Sequence, residues 1–172
     1  MRYIISLAFV MFLSGCLNPN SVIDAKGLKE GVNKKDFKAL FEEATRESGQ
    51  EVQLTFITCS KPFKVTACLY TTPGKASIVT QTRDNSVLIG TIILDFQAGI
   101  DQTELQKDVA GIMTVADPEM GEVVRQTISA DFAKNPEGNY RETFKGIDYT
   151  IGKSTKYGVN FNARLKCLPS CP

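Results

Sequence analysis

Histidine and tryptophan are both missing from this chain of 172 residues. Without histidine, the side chain that titrates nearest neutral pH and the commonest metal ligand are gone. Serine–histidine–aspartate and cysteine–histidine nucleophiles are excluded with it. The lack of tryptophan weakens a carbohydrate-stacking or aromatic-cage reading. A charge surplus is missing too: 20 basic side chains face 19 acidic ones. A nucleic-acid partner would call for a basic face, so none is expected. There is no internal repeat, charged tail or low-complexity tract, and no motif for a cofactor or metal. One long apolar run exists, Tyr3 to Leu13, too short for a spanning helix of about 20 residues.

That run is the first thing the chain does have. Met1-Arg2 supplies a positive charge, the apolar run follows, and Leu13-Ser14-Gly15-Cys16 closes it. The order is that of an export signal. Leu13-Ser14-Gly15-Cys16 resembles the lipobox of bacterial lipoproteins. The resemblance implies cleavage before Cys16, a diacylglycerol on its thiol, and a lipid bilayer as the first partner. One acyl chain holds a protein on a membrane only marginally, whereas two or more anchor it stably; the class implies at least two. The residue after the cysteine is Leu17 rather than aspartate. In enterobacteria-like cells this implies sorting to the outer membrane, facing the periplasm, with surface exposure as the other orientation. The competing readings are an ordinary small-residue cleavage site and an uncleaved anchor.

Removing residues 1–15 from 172 leaves 157, enough for one domain with a real core. One of the 20 basic residues lies in the leader, so the remainder carries 19 of each sign. The expected organisation is a signal at 1–15, an acylated tether at 16–33, and a single domain at 34–172. The tether is polar and turn-rich, with a reach of at most roughly 55 Å.

Asn33 is expected to cap a helix from Lys34, with Phe37, Leu40, Phe41 and Ala44 as its apolar stripe and Gly49 at its end. Val52, Leu54 and Phe56 alternate with polar residues, as do Phe63, Val65, Ala67 and Leu69. Pro73-Gly74 and Asp84-Asn85 mark turns. Ser86 to Phe96 is apolar on both faces and reads as a central, covered strand. Asp101 and Glu104 form a capping-box pattern ahead of Leu105, Val109, Ile112 and Met113. Pro118 suits a first helical turn, with Met120, Val123, Val124, Thr127, Ile128 and Phe132 as the buried face. Strands over 140–145, 147–152 and 159–165 close the chain. The order α-ββββ-αα-β(β)β predicts an α+β fold, an antiparallel sheet with three helices mainly on one face.

Five cysteines are an odd number; setting Cys16 aside leaves Cys59, Cys68, Cys167 and Cys171, which can pair completely. Local pairing, 59 with 68 and 167 with 171, is favoured because each pair is joined by a short connection. Pairing of Cys59 or Cys68 with Cys167 is the alternative. Neither spacing is C-x-x-C, and an exported compartment favours structural disulfides over a redox dithiol or a zinc site.

The remaining candidates are thin. Asp95 ends the most apolar strand and reads as a residue reaching solvent. Asp117 and Glu119 flank Pro118 at a helix start; Arg125 with Glu122 is an ordinary helix-surface pair. Tyr140, Tyr149 and Tyr157 gather in the last third as surface-strand tyrosines. The loop of Lys153, Ser154, Thr155, Lys156, Tyr157 and Gly158 is long enough to touch a partner. The expected function is a membrane-anchored module that binds an envelope macromolecule, as inhibitor, immunity or exclusion factor, or accessory subunit. The alternatives are an envelope enzyme using carboxylate or Ser/Lys chemistry, and a membrane-to-wall spacer.

Overall fold

The computed structural model describes residues 27–83, 85–96, 99–134, 140–154 and 158–166. Cys16, Cys167, Cys171 and the loop apex Thr155 to Tyr157 lie outside them. In chain order the elements are α1 (Gly27–Glu30), α2 (Phe37–Glu47), β1 (Thr55–Ser60), β2 (Ala67–Thr71), β3 (Ser77–Thr82) and β4 (Ile89–Phe96). They continue with α3 (Gln102–Ala116), α4 (Glu122–Lys134), β5 (Tyr140–Phe144), β6 (Ile147–Ser154) and β7 (Gly158–Leu165). The strands form one antiparallel sheet in the order β1-β2-β3-β4-β7-β6-β5. The α+β class and the meander expected from the sequence are what the chain adopts. Short hairpins build β1 to β4; the two long helices then carry the chain away, and β7 returns to pair with β4.

Strand side chains alternate between faces, and here one parity is buried. Tyr70, Ile78, Ile92, Leu94, Tyr149, Ile151, Phe161 and Ala163 are among the residues that line the helix-covered side. The opposite parity is half-exposed throughout β2, β3 and β4. Helix α3 is the centrepiece, packed between α2 and α4 and against β4 and β7. Its capping box is half made: the Asp101 carboxylate accepts from the backbone N–H groups of Thr103 (2.8 Å) and Glu104 (3.2 Å). Glu104 itself pairs with Lys107. The α2–α3 crossing is close because of Gly111. A Cβ there would stand 2.8 Å from both Phe41 Cε2 and Thr45 Cγ2.

Several boundaries differ from expectation. The polar segment expected to act as tether through Asn33 is packed from Gly27 onward, with Leu28 and Val32 in the core. A side chain on Gly27 would meet Pro118 Cδ at 2.8 Å and the Ala116 carbonyl oxygen at 2.9 Å. Helix α2 starts at Phe37, not Lys34, because Asn33 bridges to Leu88 and its side chain accepts from the Lys35 N–H (3.0 Å). Lys34 N–H meanwhile donates to the Val87 carbonyl (3.0 Å). These bonds, with Asp36 N–H donating to Asn33 O (3.0 Å), fold the chain after Asn33 into a turn that straps the β3–β4 turn.

The alternation Phe63, Val65, Ala67, Leu69 falls on the wrong parity. Cys68 and Tyr70 face the helices, and Phe63 sits in the hairpin tip, 98% exposed at φ 58°. Strand β4 is central, yet only one of its faces is covered. Helix α4 begins at Glu122, since Pro118 lies in a turn closed by Met120 N–H to Asp117 O (3.1 Å). Its buried stripe is accordingly Arg125, Ile128, Ser129, Phe132 and Ala133, with Val123 and Val124 exposed. Arg125 is therefore no surface residue. It runs beneath the helix start, donating to Met120 O (2.6 Å) and Glu122 (2.8 Å).

Candidate functional site

Among the described residues the helices cover one side only, and the other side of the sheet is a bare surface with two hollows. The larger, about 860 Å³, spans β3, β4, β7, β6 and β5. Five of its polar side chains come from the outward parity of the last three strands. Arg141 on β5 bonds Asp148 on β6 at 2.6 Å, and the Thr143 hydroxyl donates to the same carboxylate at 2.6 Å. That hydroxyl bond, followed by the guanidinium, holds Asp148 below the usual carboxylate range. Asn162 on β7 donates to Thr150 Oγ1 (3.3 Å) and Asn160 Oδ1 (2.9 Å). Arg164 is exposed, in register with Thr91 on one side and Asp148 on the other.

Arg83 completes the rim. Its guanidinium donates to the Leu28 carbonyl (2.8 Å), tying the β3–β4 turn to α1. Gly90 permits this course, since a Cβ there would lie 3.1 Å from Arg83 Cγ. Three arginines against one engaged aspartate leave the hollow cationic. Its threonine, asparagine and glutamine lining presents donors and acceptors, with Val65, Ile93 and Leu165 as apolar floor.

The smaller hollow, about 380 Å³, lies toward β1 and includes Lys75, Ser77 and Asp95. Ser77 and Asp95 are direct cross-strand partners. Burial raises the Asp95 carboxyl above its ordinary range. Asp95 thus stands half-buried on the bare face of β4 rather than at a free strand end. A nucleophile needs its base within hydrogen-bond reach. Among the described residues no hydrogen bond joins Ser77, Lys75 and Asp95.

Of the residues singled out by sequence, Cys59 and Cys68 come together as expected. They are register partners on β1 and β2, with Cα atoms 4.0 Å apart and their sulfurs at bonding distance. Cys16, Cys167 and Cys171 lie outside the described residues. Lys153 and Ser154 are the last residues of β6, pairing with Val159 and Gly158 of β7. Thr155, Lys156 and Tyr157 lie outside the description. Asp117 and Glu119 do not form a pair: Asp117 is buried, while Glu119 reaches Lys145 at 3.2 Å. Tyr149 is no surface tyrosine. It is fully buried beside Phe161, and burial raises its hydroxyl well above the usual phenol range. Tyr140 is half-exposed, edge-on to Phe132.

Sequence reading missed Arg141, Asp148, Thr150, Asn162 and Arg164. A signal was present: Asp148 and Thr150, then Asn160, Asn162 and Arg164, occupy every second position opposite the apolar ones. It also missed Asp108, a carboxylate inside the apolar stripe of α3, 1% exposed and bonded by the Thr72 hydroxyl at 3.0 Å. Among the described residues, no cluster of three or more acidic or cysteine side chains forms, and no helix is long and apolar enough to cross a membrane.

Fold and site together define an α+β domain with one sheet face covered by helices and the other bare, cationic and hollowed. The chain matches no family model, no curated protein and no solved structure.

Proposed function

We propose that this chain is an envelope lipoprotein, anchored through acylated Cys16, whose domain captures another envelope protein on the bare face of its sheet. In this role it acts as an inhibitor, an immunity or exclusion factor, or an accessory subunit. The observation that carries the reading is the larger hollow. Interfaces combine an apolar floor, arginines and a hydrogen-bonding rim, and Ile93, Val65, Arg83, Arg141 and Arg164 stand in that arrangement. The Leu13-Ser14-Gly15-Cys16 resemblance supports the membrane location.

The test is site-specific photocrosslinking in native envelope. A photoreactive side chain at Thr150 should yield a discrete adduct, and Arg141→Glu with Arg164→Glu should abolish it. Adducts arising only from the helix side, at Val123, would sink the assignment. Deleting the Lys153 to Gly158 loop should weaken capture if that loop borders the contact.

A second reading is favoured by one observation, the cross-strand Ser77–Asp95 pair beside Lys75. It is an enzyme using Ser/Lys and carboxylate chemistry. Turnover of an envelope substrate that Ser77→Ala and Asp95→Asn both abolish would establish it. Turnover indifferent to both would remove it.

A further inference from the structure

Following each strand through the sheet shows which loops share an end. The β1–β2 hairpin tip (residues 61–66), the β3–β4 turn, the strap at 33–35 and the described chain start at Gly27 all emerge at one end. The tip is apolar at its apex and basic beside it: Phe63 is 98% exposed, with Lys61 and Lys64 exposed on either side. Val87, 48% exposed, and Lys34 and Lys35 of the strap extend the same surface. The whole β1–β2 hairpin contains no aspartate or glutamate. The described acids at this end include Asp36 on the strap and, around α1 and the end of α3, Glu30, Asp117 and Glu119. Among the described residues, none of these four lysines is paired with a carboxylate.

The tip is also held in place. The Cys59–Cys68 bond closes the hairpin base, Thr82 N–H donates to Thr66 O (3.0 Å), and Asn85 N–H donates to Lys64 O (3.3 Å).

We infer that this end docks on an anionic bilayer surface, with Phe63 entering the headgroup–acyl boundary and Lys61 and Lys64 on lipid phosphates. An apolar apex flanked by lysines is the pattern of interfacial anchors, and lysines near an anionic leaflet are drawn to its surface potential. A protein partner would not explain why the chain start shares this end. The inference rests on the Cys16 anchor. Cys16 precedes Gly27 by eleven residues, a reach of at most about 40 Å. Three strand spacings of about 4.8 Å separate β7, which α1 contacts, from β2, so the tether spans easily to the hairpin side. Docked this way, the opposite end points away from the membrane and the bare sheet face stands upright, open to a partner.

The absence of tryptophan makes the test clean. Phe63→Trp, at an exposed site where the fold does not depend on the ring, is introduced into the full acylated chain purified from membranes. The protein is reconstituted on vesicles of phosphatidylethanolamine with phosphatidylglycerol. The expected result is blue-shifted indole emission, quenched by brominated lipid and shielded from iodide. The shift is reduced by Lys61→Glu with Lys64→Glu, by high salt, and by replacing phosphatidylglycerol with phosphatidylcholine. Thr55→Trp, at the far end of β1, stays aqueous. An aqueous, iodide-accessible indole from Phe63→Trp on protein that floats with the vesicles overturns the docking and leaves the tip to a protein partner. Protein that does not float at all overturns the anchor and the docking together.

Discussion

Asp108 offers the sharpest test of the folded state. It lies midway along α3, 1% exposed, with the Thr72 hydroxyl donating to one carboxylate oxygen at 3.0 Å. Burial, only partly opposed by that bond, pushes its pKa up to about 7, and Glu104 one turn earlier adds to the rise. An unfolded aspartate titrates near 3.9. Between these values the folded chain holds a proton that the unfolded chain releases, so this site makes stability fall as pH rises from about 4 to about 7. Three units correspond to about 4 kcal/mol at the upper bound, at about 1.4 kcal/mol per unit. Asp108→Asn keeps the shape and an oxygen for Thr72 but cannot ionise. Denaturant melts of wild type and variant at pH 5 and pH 8 isolate the effect, because all other carboxylates cancel in the difference. The variant should gain about 2–3 kcal/mol relative to wild type on going from pH 5 to pH 8, most of the linkage expected from the shift. An equal difference at both pH values, or a variant that loses ground at pH 8, would refute the buried-acid account.

Gly111→Ala drives a methyl group into Phe41 and Thr45 at 2.8 Å and should cost about 1–3 kcal/mol in thermal or denaturant melts; a neutral result would mean the α2–α3 crossing relaxes freely. Replacing Cys59 and Cys68 by serine opens a loop with a sequence separation of 9 and should cost about 2–3 kcal/mol. Non-reducing peptide mapping of the parent should find that pair linked, and a Cys59–Cys167 peptide would contradict it. Arg125→Ala removes the donor to the Met120 carbonyl and should destabilise by about 1–3 kcal/mol. Val123→Asp, at a side chain 78% exposed, should change stability by less than about 0.5 kcal/mol.

Periodicity carries most of the fold. The stripes of α2 and α3 and the alternation of β7 are readable because each element buries one face against a single layer. What sequence misplaces are sites where tertiary bonds overrule local pattern. Asn33 has the chemistry of a helix cap, but pairing with Leu88 uses the residues after it as a strap. Val123 and Val124 look like part of one buried stripe with Met120, Ile128 and Phe132, yet they stand exposed while Arg125 and Ser129 are buried. In β2, Cys68 is held to the covered side by its bond to Cys59, which turns Ala67 and Leu69 outward. The candidate site is harder to read. Its arginines and asparagines lie on β5, β7 and the β3–β4 turn, distant in sequence, and only the return of β7 onto β4 brings Arg164 and Asn162 alongside Thr91 and Gln81.

The bond between Cys59 and Cys68 sits on the outermost strand, every residue of which is exposed. Such a strand is ordinarily the first to fray and the easiest for another copy to borrow or extend. A covalent link to β2 closes the route of exchange, because β1 cannot peel away from the sheet, while its outer edge stays open to pairing. Oxidation of this pair therefore sets the lifetime of the strand's attachment to the sheet, and with it the resistance of a crowded population of these domains to entanglement.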